Sequence, residues 1–151
     1  MLDELRDRMA SFLARYHVCV LSVNGSPGAW AMPVRYHPLP EAGGHALVVE
    51  CLLPHWADGL YYLEQNSQVM LVIWEADVEA LRWLQMQGRA QPVRRPDWQR
   101  WPLPNHAVPP EALYRVVRVT PWRIDLVDEG RGWGARETLE LDGMAAATPD
   151  P

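Results

Sequence analysis

Six short runs of apolar or alternating residues, separated by turn-forming residues, limit what this chain can fold into. "HVCVLSVN" reads as a buried strand, stopped by the turn signal "NGSPG". "AWAMPVRYH" alternates, with Trp30, Met32, Val34 and Tyr36 on one face and Ala31, Pro33, Arg35 and His37 on the other. Pro33 predicts an edge position, a bulge or a strand break at that point. After the loop "PLPEAGG", "HALVVECLL" gives a third strand and "SQVMLVIWEA" a fourth. "EALRWLQMQGRAQPV" gives a fifth, in which Leu84, Met86 and Gly88 alternate with Gln85, Gln87 and Arg89. "LYRVVRVTPWRIDLVD" is a long strand, or a strand pair, bent at Pro121, with Tyr114, Val116, Arg118 and Thr120 on one face before the bend.

Two helices punctuate these strands. Leu2, Leu5, Met9, Phe12 and Leu13 recur at helical spacing and predict a helix over residues 2 to 15. "PHWADGLYYLEQN" reads as a turn into a short helix, with Asp58 as its N-cap. The order is helix, three strands, short helix, then three or more strands. Strands joined by short turns give an antiparallel sheet, here curled into a barrel. The fold class is mainly β, in one domain over residues 1–143, followed by a disordered tail at 144–151. The stretch from 94 to 110, rich in Pro, Trp and Arg, is a loop excursion, since too little chain follows it for a second core.

Composition removes whole classes of function. The fourteen basic side chains are all arginine, which excludes Schiff-base chemistry and the lysine-dependent P-loop. A net charge of −5 with scattered arginines argues against a nucleic-acid groove. No run is long enough to span a bilayer, and the charged N-terminal helix is not a signal peptide. Cys19 and Cys51 lie in apolar strands and read as buried thiols in a reducing cytosol. The five histidines show no metal-ligand spacing, and no serine sits in a nucleophile elbow, so neither a metal nor a catalytic residue is assigned.

"EGRGWGARETLE" places Gly130, Gly132 and Gly134 at every second position. A dinucleotide fingerprint needs a different spacing and a βαβ setting, so these glycines read as a turn that projects Arg131 and Trp133. "ARETLEL" after it fits either helix or strand.

Three stretches together resemble the pyridoxamine 5′-phosphate oxidase-like superfamily of FMN-binding split barrels. They are "YHVCVLSVNGSPGAWAMPVRY", "LVVECLLPHWADGLYYLEQNSQVMLVIW", and "LQMQGRAQPV" followed by "LYRVVRVTPWRIDLVDEGRGWGARETLEL". The resemblance implies a six-stranded antiparallel split β-barrel with an N-terminal helix and a short helix between strands three and four. It implies a homodimer with FMN between the subunits and flavin-dependent oxidoreduction of a small molecule, heme or deazaflavin replacing FMN in some branches. The family's phosphate anchor, a hydroxyl residue and then a base, falls here on Ala57, Asp58 and Gly59, which supply neither. Glu50 also stands on the strand that approaches the phosphate. Strict pyridoxamine phosphate oxidation is disfavoured, since the positively charged site for the substrate's phosphate is not visible in the sequence.

The cofactor-binding candidates implied are Arg35 and Trp30 on the strand bordering the flavin, Trp56 stacking on the ring, and Arg131, Trp133 and Arg136 reaching across the dimer. Arg35 reads equally as a solvent-facing strand residue, and Trp56 as core packing under the short helix. The rival to an FMN oxidoreductase is a split barrel without flavin that serves as a ligand-binding or interaction module.

Overall fold

The computed structural model describes residues 2–26, 28–40, 47–75, 79–104 and 107–141. The expected tail at 144–151 lies outside them. Helix α1 spans Leu2–Arg15 and buries Leu5, Met9, Phe12 and Leu13. Leu2, expected on the same stripe, is 63% exposed, because it lies at the helix end beyond the sheet it covers. The strands are β1 (Val18–Gly25), β2 (Gly28–Pro38), β3 (Val49–Pro54), β4 (Gln68–Glu75), β5 (Arg82–Pro92), β6 (Tyr114–Asp128) and β7 (Arg136–Glu140). Helix α2 (Asp58–Gln65) lies between β3 and β4, and the single-turn α3 (Pro110–Leu113) precedes β6.

The strands are antiparallel in the order β3-β2-β1-β4-β5-β6-β7, and β3 also pairs with β6. That pairing closes the first six into a barrel. β7 is an addition to the expected six: "ARETLEL" resolves as strand, paired with the second half of β6 from Arg123 to Val127. β6 is one strand of 15 residues, not two. Its first half closes the barrel on β3, with Val49 opposite Val119 and Pro54 opposite Tyr114. A register shift opposite Gln87 and Gly88 leaves Trp122 as the extra residue of a bulge next to Pro121. A Cβ on Gly88 would lie 2.7 Å from the Thr120 carbonyl, so the bulge requires glycine there.

Alternation along the strands builds the core. Cys19, Leu21 and Val23 of β1, Leu71 and Ile73 of β4, and Leu84 and Met86 of β5 point inward and are buried. Both cysteines are free thiols. Tyr36 is buried as well, its hydroxyl donating to the Leu13 carbonyl at 2.7 Å, which ties α1 to the barrel. Pro33 sits in register opposite Val20, without a bulge. β3 pairs with β2 only from Arg35 to Pro38, so Pro33 lies on a locally open edge where its missing N–H leaves no bond unmade.

Candidate functional site

The place where β2 parts from β3 forms a cleft. Pairing aligns Val18 of β1, Arg35 of β2, Leu52 of β3 and Val116 of β6 in one row across the outer face. The cleft is about 250 Å³ and is lined by Arg35 with Val18, Met32, Leu52, Pro54 and Tyr114. Arg35 is exposed and forms no hydrogen bond or ion pair among the described residues. A flat apolar surface beside an uncommitted guanidinium suits a planar ligand that carries negative charge.

The Trp- and Pro-rich stretch packs behind two of the cleft's lining residues, Leu52 and Tyr114. Trp101 is 5% exposed and packs with Leu52 and Val116, while Tyr114 packs against the same cluster from the cleft side. Beneath this loop lies a charged row of His37, Glu50 and Arg118. Glu50 is buried, accepts from Arg118 Nε at 3.2 Å and Nη2 at 2.8 Å, and lies 3.4 Å from His37 Nε2. The Glu50 charge, expected to oppose a phosphate, is thus compensated inside the fold. The His37 ring lies 4.2 Å from the Trp101 ring. Burial lowers the His37 pKa, and the nearby Glu50 carboxylate only partly restores it.

Helix α2, which begins four residues after Pro54 of the cleft, does not offer a phosphate anchor. Its N-cap is Ala57, not Asp58, and no side chain caps it. Asp58 is the first helical residue, where its negative charge favours the helix dipole and opposes an anion. Gly59 is fixed by packing: a Cβ there would come within 2.3 Å of Trp30 Cζ3. Trp30 is therefore half-buried under the helix, filling the split between β2 and α2. Its other side, with Trp122, Asn24, Asn66, Met70 and Gln87, rims a neutral cavity of about 410 Å³. Trp56 is 69% exposed, which rules out core packing under α2 and leaves its indole free at the turn after β3.

Arg131 and Arg136 come together elsewhere. They line a cavity of about 280 Å³ with Arg8 of α1, Arg82 of β5, Asp128 and Glu137. Arg8 and Glu137 form a two-pronged pair at 2.5 and 2.7 Å, which holds the Glu137 pKa below its usual value despite some desolvation. Trp133, at the tip between Arg131 and Arg136, is 99% exposed. Within one chain the six predicted residues therefore separate. Arg35 lines the cleft, Trp30 the neutral cavity, Arg131 and Arg136 the arginine cavity, and the two exposed tryptophans stand at turns. Sequence reading missed Arg8 and Arg82 as neighbours of Arg131, and Tyr114 as a wall of the cleft. Only strand register brings them there, so no local signal could have found them.

Among the described residues no cluster of His, Cys, Asp and Glu could hold a metal ion, and no helix is long and apolar enough to cross a membrane. No protein-family model and no curated protein matches the chain. Solved structures do match. A protein related to general stress protein 26, of the pyridoxinephosphate oxidase family, from Clostridium acetobutylicum aligns at a TM-score of 0.66 and 11% identity, over 94% of this chain and 98% of that one. The FAD-binding protein of Mycobacterium smegmatis aligns at 0.61 and 16%, over 81% and 94%. A heme-binding protein of the same organism aligns at 0.61 and 19%, over 95% of this chain and 61% of that one. The chain has the split-barrel fold of the pyridoxamine 5′-phosphate oxidase-like proteins.

Proposed function

We propose that this protein is a homodimeric split barrel that binds a flavin, FMN in the first instance, in the Arg35 cleft and serves as an oxidoreductase for a small molecule. The observation that carries the reading is the uncommitted Arg35 guanidinium set among Val18, Met32, Leu52 and Tyr114. The start of α2 does not fit a phosphate, because Asp58 stands there without a base. Arg35 fits one, as a fork of donors that can meet two phosphate oxygens. A flavin bound in the cleft supplies hydride and single-electron transfer. Arg35 would hold the anionic part, and Leu52, Pro54 and Tyr114 would exclude water from one face of the ring. Trp56, free at the adjacent turn, is available to cover an edge.

Pairing of two copies is part of the same reading. The outer faces of β1, β4 and β5 carry Val18, Met70, Val72, Trp74 and Trp83 in adjoining register positions, with Val18 47% and Trp74 42% exposed. Such a face suits a self-complementary two-fold contact. A reducing cytoplasm suits the two free, buried thiols.

The absorption spectrum of the purified protein, followed by titration with FMN, tests the proposal. Bound FMN whose affinity falls roughly 10- to 100-fold in Arg35→Ala is expected, the worth of one or two charge-assisted hydrogen bonds. A colourless protein that takes up no FMN, FAD or heme overturns it. Asp58 at the start of α2 favours the second reading, a flavin-free ligand-binding module, which that outcome would leave standing.

A further inference from the structure

The Trp- and Pro-rich stretch after β5 is held down by one side chain. Of residues 94–104 only Trp101 is buried, with 5% of its surface exposed. Trp98 and Leu103 pack partly buried against the cluster that Trp101 forms with Leu52 and Val116. Backbone ties lie at the two ends of the excursion: the Val93 amide donates to the Val116 carbonyl at 2.9 Å, and the His55 amide to the Leu113 carbonyl at 2.8 Å. Between them the hydrogen bonds are local. The amides of Arg100, Trp101 and Leu103 donate to the carbonyls of Asp97, Trp98 and Trp101 at 3.1, 3.2 and 2.8 Å. The hold of 94–104 on the sheet thus rests on Trp101.

The indole of Trp101 lies 4.2 Å from the His37 ring, with the planes at 52°. In these two side chains three nitrogens, Trp101 Nε1 and His37 Nδ1 and Nε2, are buried without a hydrogen-bond partner among the described residues. His37 Nε2 comes within 3.4 Å of Glu50 Oε1 without making a hydrogen bond. Unpaired buried nitrogens oppose closure, because water would satisfy them. A neutral imidazole tolerates this setting better than an imidazolium, whose two N–H groups both need acceptors. The charged groups facing the ring are Glu50 from β3 and Asp97 and Arg100 from the segment itself. Both carboxylates are already engaged, Glu50 with Arg118 of β6 at 2.8 Å and Asp97 with Arg100 at 3.3 Å. Burial outweighs them and lowers the His37 pKa from 6.5.

We propose that residues 94–104 are a pH-sensitive strap, latched over the outer face of β2, β3 and β6 by Trp101 on neutral His37 and released when the imidazole takes up a proton. The open strap hydrates the imidazolium, so the latch is at full strength above about pH 6.5 and weakens as pH falls below it. Leu52, which Trp101 packs against, also lines the Arg35 cleft, so release loosens one wall of that cleft. The latch uses no ligand and stands whether or not a flavin binds.

Hydrogen exchange of the full-length protein at pH 7.5 and 5.5, corrected for the intrinsic effect of pH, tests it. The Arg100, Trp101 and Leu103 amides should lose protection several-fold at pH 5.5, while Leu84 and Met86 of β5 stay far better protected. His37→Phe keeps a ring under Trp101 without the nitrogens and should hold the strap closed at both pH values. Reciprocally, Trp101→Ala should raise the His37 titration midpoint, followed by the ring proton shifts, back toward 6.5. Thermal melts check that the variants fold. Equal protection at both pH values overturns the strap, as does an unchanged pH response in His37→Phe. Exchange of the strap at the rate of β5 would make the opening global and overturn it too. A His37 midpoint unmoved by Trp101→Ala would show that the two residues are not coupled, and would end the proposal without bearing on flavin binding.

Discussion

Glu50 and Arg118 face each other across β3 and β6, Oε2 2.8 Å from Nη2, with the carboxylate buried and the guanidinium half in water. Removing the arginine strands a negative charge in the fold. Arg118→Ala should cost about 2 kcal/mol, below the figure for a wholly buried pair because Arg118 is partly solvated. Glu50→Gln in the same chain should restore much of the loss. Urea unfolding of both variants checks this, and an additive double variant would show that the pair is not coupled.

Gly59 and Trp30 form a lock between α2 and β2. Gly59→Ala should destabilise by about 1–3 kcal/mol, as over-packing does, since the new Cβ meets the indole. Trp30→Ala should make the same substitution nearly neutral. Equal penalties in both backgrounds would place the strain elsewhere.

The His37 ring faces Glu50 from the sheet and Trp101, Arg100 and Asp97 from the loop above. Its pKa is lowered by burial below the usual 6.5. The unfolded chain therefore takes up a proton at this residue before the folded chain does. Stability should fall as pH drops from about 7 toward 5, and His37→Asn should flatten that slope. Asp125 and Glu137 act in a lower window. Desolvation raises the Asp125 pKa, but hydrogen bonds from Thr138 and Arg123 outweigh it and hold the group below its usual 3.8. Their contribution should persist above about pH 4 and vanish as pH falls through the folded-state values. Unfolding midpoints across pH check both windows.

Trp74 stands opposite Trp83 on the outer face of β4 and β5. Under the two-fold reading, Trp74→Glu should halve the mass in sedimentation equilibrium while leaving the far-ultraviolet spectrum unchanged. A wild-type protein that sediments as a single chain would remove the homodimer from the proposal.

Much of the fold could be read from alternation, because a strand with one buried face writes that face into every second residue. Leu84, Met86 and Gly88 are buried where the pattern puts them. Helix α1 matches its predicted limits, since its apolar spacing and first-turn acids act locally. β7 and the cap of α2 were less legible. "ARETLEL" becomes a strand only because the far half of β6 offers it an edge. Asp58 resembles a cap by residue type, yet the chain enters the helix one residue earlier, at Ala57. The candidate residues could be named one by one from the sequence, but not where the closed sheet would put them. Arg35 was visible on an alternating strand and Arg131 at a glycine turn, while the register that sends one to the cleft and the other toward Arg8 is a property of the closed sheet.

The seam between β3 and β6 joins Pro54 to Tyr114 and Val49 to Val119. Every other strand pair in the barrel links neighbours along the chain or lies within the β1–β4 and β4–β5 ladders, where the intervening segments are shorter. Zipping this seam means confining all the chain between its two sides, a loss of freedom that no earlier ladder carries. The barrel should therefore shut last in folding, and its final act would bring Leu52 beside Val116 and Tyr114. The cleft that holds Arg35 would exist only once the cylinder has closed, and any step that delays closure would delay the appearance of a ligand-competent protein.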